Sequence, residues 1–152
     1  MKSTLVVTTL VAALTVAAAP AAAVQPGSYA GKTDGGFRMS FKVKGNKVSK
    51  LSGMVPTTCG SPTGGARAGG EIFKPPGKFQ IGKTRKAKAK QHPAMHYSKV
   101  TKNYKVTLKK AGRGGFKAKL HVNFSFLTLE YGYDGPRLKT WICRGDDSFT
   151  AR

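Results

Sequence analysis

The sequence predicts an all-β protein: a single antiparallel β-sandwich, or a barrel-like variant of one, with very little helix, behind a cleaved signal peptide. Three observations carry this. Apolar and polar residues alternate with a period of two almost everywhere in residues 24–152, as strands with one face in a core do. Turn signals built on glycine, proline and asparagine separate these stretches at near-regular spacing. No segment of residues 24–152 sustains the 3.6-residue period of an amphipathic helix.

Residues 1–23 read as the signal peptide. Met1-Lys2-Ser3 is a short, singly positive start, residues 4–18 are apolar apart from threonines, and Ala21-Ala22-Ala23 offers a small-x-small cleavage site. The apolar run falls short of the roughly 20 residues that span a bilayer. Cleavage after Ala23 leaves residues 24–152, a length suited to one domain with a core of its own.

The strands follow in order. Phe37, Met39, Phe41 and Val43 alternate with Arg38, Ser40, Lys42 and Lys44. Gly45-Asn46 then gives a two-residue hairpin turn of the type with glycine first. The return strand begins at Val48 and changes parity by Leu51, which calls for a bulge. Residues 56–70, rich in glycine, proline and threonine, read as a long loop tethered by Cys59. Glu71-Ile72-Phe73 is expected to be a short strand, turned by Pro75-Pro76-Gly77. Phe79 and Ile81 open a stretch that becomes mostly Lys, Arg and Ala and ends at His92-Pro93.

The clearest hairpin comes next. Tyr104, Val106 and Leu108 return, across Ala111-Gly112-Arg113, as Phe116, Ala118, Leu120, Val122, Phe124 and Phe126. A three-residue loop sets Leu108 opposite Phe116 and Val106 opposite Ala118, and on the other face Lys105 opposite Lys119 and Thr107 opposite Lys117. A one-residue slip would turn the apolar face outward. Leu138, Thr140 and Ile142, then Phe149 and Ala151, are expected to form two short closing strands.

Cys59 and Cys143 are the only cysteines. An even pair in an exported chain is expected to be a disulfide.

Charge separates the chain into parts. Residues 32–119 hold 22 Lys and Arg against Asp34 and Glu71, whereas residues 120–152 hold four of each sign. Edge protection would explain one run of lysines. It does not explain so large a surplus, since ordinary surfaces intersperse both signs. A surface facing a polyanion does. Beyond the leader, lysine outnumbers arginine 19 to 7, which favours point-charge contacts over bidentate readout. The aromatic residues mostly share the apolar parity, so they are not a base-stacking platform. The candidate ligand-binding residues are Arg38, Lys42, Lys86, Lys88, Lys90, Lys105, Lys117 and Lys119.

Chemistry-bearing motifs are sparse. Residues 77–84 match G-x-x-x-x-G-K-[ST], but that loop needs a strand before it and a helix after it. Pro75-Pro76 and Pro93 deny it both. His92 and His96, with Met95 between them and His121 elsewhere, are the candidates for a metal-handling or hydrolytic module. Asp146-Asp147 reads as a turn pair, and Glu130 with Asp134 flanks Tyr131-Gly132-Tyr133. Neither pair is spaced to meet a serine or histidine, so acid–base chemistry lacks its parts. Asn123-Phe124-Ser125 is a glycosylation sequon placed inside a strand. Trp141, with the parity of Cys143, is expected to pack over the disulfide.

Gly27-Ser28-Tyr29-Ala30-Gly31-Lys32-Thr33, Phe41-Lys42-Val43, Cys59, Trp141-Ile142-Cys143-Arg144-Gly145 and the closing Phe149-Thr150-Ala151-Arg152 together resemble a recurring type of small secreted bacterial β-domain. The resemblance touches both ends of residues 24–152 and implies a β-sandwich with one disulfide joining distant strands. It implies no activity and no site residues. The expectation is therefore an exported, cationic binding protein, not an enzyme. It would engage an extracellular polyanion (a wall polymer, an acidic polysaccharide or an anionic surface), with nucleic acid bound only nonspecifically and no cofactor. The alternatives are the histidine-based module and a purely structural component of the cell envelope.

Overall fold

The computed structural model describes residues 24–91 and 100–152. They form nine strands and no helix: β1 Gly27–Thr33, β2 Arg38–Lys44, β3 Lys47–Gly60, β4 Ala66–Phe73, β5 Phe79–Gln80, β6 Thr84–Gln91, β7 Val100–Lys110, β8 Phe116–Gly132 and β9 Gly135–Ala151. All pairings are antiparallel. The sheet runs β4-β3-β2-β1-β9-β8-β7-β6, with β5 paired to β3. No helix of the described residues is long and apolar enough to cross a membrane. The leader expected at 1–23, and His92, Met95 and His96, lie outside the described residues.

The sheet is rolled. Beyond Gly53, β3 leaves β2, and its far end pairs with β9, Thr58 to Gly60 against Arg144 to Ile142. This closes a ring of β1, β2, β3 and β9. The two ends of the sheet then meet. Phe73 on β4 and Tyr104 on β7, with five strands between them in the sheet order, stand edge to face at 5.2 Å. One core fills the space between, from Met39, Phe41 and Val43 on β2 to Leu120 and Val122 on β8. At its centre Phe41 lies 5.5 Å from Tyr29, 5.4 Å from Phe116 and 5.9 Å from Phe149, joining four strands. Aromatic pairs at such spacing add to the burial itself.

The first hairpin is as the alternation requires. Lys44 faces Lys47 across Gly45-Asn46, and Gly45 has φ 58°. The pairing shifts between Ser40 and Lys42, where Lys50 takes φ 54°. That bulge returns Leu51 to the same buried side as Val48.

Several expectations are corrected. The stretch 56–70 is not a loop: β3 continues to Gly60, turns at 61–65 and returns as β4. Its small residues hide strands because the outer face here carries little bulk, and Gly70 leaves space that the Met54 side chain fills. The closing strands are one, β9, uninterrupted at Asp146-Asp147. The second long hairpin has a five-residue loop, with Arg113 at φ 57°, Gly114 at φ 75° and the Ala111 N–H bonded to the Gly115 carbonyl. Leu108 therefore faces Ala118 and Val106 faces Leu120. Across the outer face Thr107, not Lys105, meets Lys119, while Lys105 meets His121 and Lys109 meets Lys117.

Gly145 marks the crossing of β9 and β3. A Cβ there would lie 2.6 Å from the Pro56 carbonyl oxygen and 2.8 Å from Thr57 Cγ2. Gly145→Ala is expected to cost about 1–3 kcal/mol through overpacking. Gly60→Ala, where a Cβ meets nothing within 4 Å, should change little. Urea midpoints of the two variants check this, and equal midpoints would mean the crossing relaxes freely.

Candidate functional site

Pleating puts alternate side chains on opposite sides of a strand, so parity decides what the rolled sheet turns outward. All eight candidate residues are exposed. Lys86, Lys88 and Lys90 alternate on β6 with Ala87 and Ala89, which pack on the core. Pairing draws the lysines into rows. Lys86 stands opposite Lys105, which stands opposite His121. Thr84 leads through Thr107 to Lys119 and Ser148. A third row runs Lys109, Lys117, Thr150, Lys32 and Arg38, crossing from β7 to β2. Lys42 does not join these rows, since it lies four residues from Arg38 and is flanked by Ser28 and Ser49.

Like charges directly opposed, as in Lys86–Lys105 and Lys109–Lys117, oppose folding by a fraction of a kcal/mol, roughly 0.2–1 each. Neither pair is joined by an ion pair to a carboxylate, although Asp34 lines one cleft with Lys109 and Lys117. The chain has six acidic side chains. Glu71 pairs with Lys102, Glu130 with Arg67 and Lys139, Asp134 with Arg137, and Asp146 with His121. Asp34 accepts from the Ser148 hydroxyl, and Asp147 from the Ser148 N–H. None of the eight candidate residues is in an ion pair with these acids. β6 is an edge strand among the described residues, where lysines are an ordinary protection against pairing with another chain. β7 and β8 are paired on both sides and have no edge to guard, yet carry the same charge.

Parity also separates a lysine that does not belong to this face. Lys102 shares the side of Tyr104 and Val106, is 7% exposed, and meets Glu71 across the roll with its ammonium 5.4 Å from the Phe124 ring. Burial, then the Glu71 carboxylate, pushes the Tyr104 hydroxyl above its ordinary value of 10.0. Lys32 and Lys109 are part of the face and were absent from the sequence-derived set. Parity with Lys105 was the available signal for Lys109. For Lys32 there was none, since β1 is not apparent from alternation.

Histidine and carboxylate do meet, contrary to the spacing argument. Because β9 is continuous, Asp146 lies opposite His121, and its Oδ1 is 2.7 Å from His121 Nδ1. Asn123 Nδ2 lies 3.3 Å from His121 Nε2, and Asn103 Nδ2 donates to Asn123 Oδ1 at 3.0 Å. Both ring nitrogens thus have partners within the protein. The described residues contain no cluster of three or more His, Cys, Asp or Glu able to hold a metal. Residues 84–91, which would have to open a helix for a phosphate loop, are strand β6.

The disulfide joins Cys59 and Cys143, directly opposed on β3 and β9 with Cα atoms 4.0 Å apart. Trp141 is 2% exposed on the same side of β9. Its Nε1 donates to Thr128 Oγ1 at 3.1 Å, and Arg67 stacks 4.3 Å from its ring, with the Lys139 ammonium at 4.9 Å. Trp141 is therefore buried packing, set against Arg67 of the β3–β4 hairpin and against Thr128 and Lys139 of the β8–β9 hairpin. No protein-family model, curated protein or solved structure matches this chain. The all-β architecture and the single disulfide are the parts of the resemblance that the fold carries.

Proposed function

We propose that this is an exported binding protein, not an enzyme, whose lysine face engages an extracellular polyanion such as a wall polymer or acidic polysaccharide through many weak contacts. One observation carries the reading. Lysines crowd the outer side of β6, β7 and β8, interior strands included, and none of Lys86, Lys88, Lys90, Lys105, Lys117 and Lys119 is in an ion pair with a carboxylate, although Asp34 lines the same cleft as Lys117 and Lys119. Such a surface concentrates counter-ions and draws polyanions to it. Among the described residues the histidine–carboxylate pair of His121 and Asp146 is open to solvent, with the second ring nitrogen bonded to Asn123.

The test is binding to a wall polymer, an acidic polysaccharide and single-stranded DNA over a salt series. Any chain this basic binds polyanions at low salt, so preference at physiological salt is the informative quantity. One polymer is expected to persist there. Single reversals such as Lys86→Glu, Lys105→Glu and Lys119→Glu should each weaken binding by a similar step, about two- to fivefold, the scale of an exposed ion pair. If one reversal abolished binding and the others did nothing, a discrete site would replace the diffuse face. If all polymers declined along one slope, the charge would serve retention in the envelope, the structural alternative.

A further inference from the structure

The far end of the β8–β9 hairpin has two unlike sides. One carries Phe126, Thr128, Glu130, Lys139 and Trp141 and is covered by Arg67 of β4. The other carries Leu127, Leu129 and Tyr131 on β8, paired to Thr140, Leu138 and Pro136 on β9, with Ile142 beside Ser125. On this second side Tyr131 is 80% exposed, Leu138 62% and Ile142 47%, and the exposed Tyr133 sits in the turn beyond. Four of the six exposed large apolar side chains of the described residues are therefore gathered at one hairpin end.

The apolar strip lies on the same side of β8 as Lys117, Lys119 and His121, so one strand face passes from lysines to leucines. That succession identifies the occupant. A second copy seated strip to strip would offer the lysines no complementary charge, since the chain carries 27 Lys and Arg against six acids. A polysaccharide would leave Leu138 and Ile142 without the hydrogen-bonding groups sugars require. An anionic lipid surface satisfies both parts: headgroups meet the lysines, acyl chains meet the leucines, and tyrosines at the end suit the boundary between them. The carboxylates at this end are already neutralised, Asp134 by Arg137 and Glu130 by Arg67 and Lys139. We infer that the β8–β9 hairpin end inserts, lying in the interface, into an anionic lipid surface, with the lysine face as its electrostatic partner. This deepens the polyanion reading and rests on the same lysines.

The experiment uses vesicles of phosphatidylglycerol with phosphatidylcholine and, in parallel, soluble polyglutamate. Tyr133→Trp supplies a reporter at the tip, Trp141 being a buried constant background. Brominated lipids are expected to quench the new tryptophan. The variant Tyr131→Ser/Leu138→Ser/Ile142→Ser should lose about tenfold or more in vesicle binding, since interfacial affinity scales with buried apolar area, while polyglutamate binding stays within about twofold because the lysines are intact. An unquenched reporter together with undiminished vesicle binding by the triple variant would overturn the proposal in favour of charge alone. A protein that sediments as a dimer, and becomes monomeric in the triple variant, would overturn it in favour of a second copy. Loss of polyglutamate binding tests the lysine reading separately, because the tip variants leave those residues untouched.

Discussion

Replacing both cysteines, Cys59→Ala with Cys143→Ala, is expected to lower the free energy of unfolding by about 4 kcal/mol, from the chain entropy of a loop this long. The bridge spans a sequence separation of 84, so its loss frees most of the domain in the unfolded state. Its place in the native state adds to this. It sits where β3 and β9 close the ring, at the only strand pairing among the described residues that joins the β1–β4 half to the β6–β9 half apart from the three residue pairs of β1 with β9. Without it, the β3–β4 hairpin is held to the β8–β9 hairpin by the short β3–β9 ladder, the Arg67–Trp141 stack and the exposed Arg67–Glu130 pair. Exposed pairs of that kind contribute little. Urea unfolding of the oxidised protein against the double variant measures the difference. A loss under about 1 kcal/mol would mean that packing at the Gly145 crossing, not the covalent link, closes the ring.

What alternation could reveal in this chain, and what it could not, follows from the physics of strands. The hairpin at Gly45-Asn46 and its bulge were legible because a parity change between Val48 and Leu51 has only one local explanation. The register of β7 with β8 was not. Moving it by two residues keeps every side chain on its own face, so the pattern that forbids a slip of one is blind to a slip of two. The backbone at Arg113 and Gly114, both at positive φ, decides it. β1 was invisible as a strand because Gly27-Ser28-Tyr29-Ala30-Gly31 has one large apolar residue. Its smallness is a packing requirement, since a side chain at Gly31 would run into the Thr150 backbone of β9. β9 looked broken at Asp146-Asp147 because paired aspartates usually mark turns, whereas here one pairs with His121 across the ladder. The candidate lysines are exposed under either register, because the side of the strand a residue occupies does not change with a shift of two. What parity could not supply was the opposition of particular lysines, and with it the row from Lys109 to Arg38.

Neutralising the face should separate its role in binding from any role in folding. In Lys86→Gln/Lys88→Gln/Lys90→Gln/Lys105→Gln/Lys117→Gln/Lys119→Gln, the dependence of log affinity on log salt for single-stranded DNA is expected to flatten by about 4, since each phosphate neutralised contributes roughly 0.7 to that slope. In about 0.15 M salt the same change should cost roughly a hundredfold or more in affinity. Stability should move the other way. Removing Lys86 and Lys105, which face each other, and Lys117, which faces Lys109, relieves like-charge pairs that each cost a few tenths of a kcal/mol or more, up to about 1. None of the six is in an ion pair whose loss would offset the gain. A surface kept only for solubility or edge protection would give up little binding on this exchange. A slope unchanged within error would place the polyanion contacts on Lys32, Lys42, Lys44 and their neighbours instead. Reduced stability would mean that the lysine stems, packed along the pleats, matter to the sheet more than their charges do. Binding lost with stability kept or gained is the signature of a surface that gives up some folding energy to hold positive charge where a polyanion can meet it.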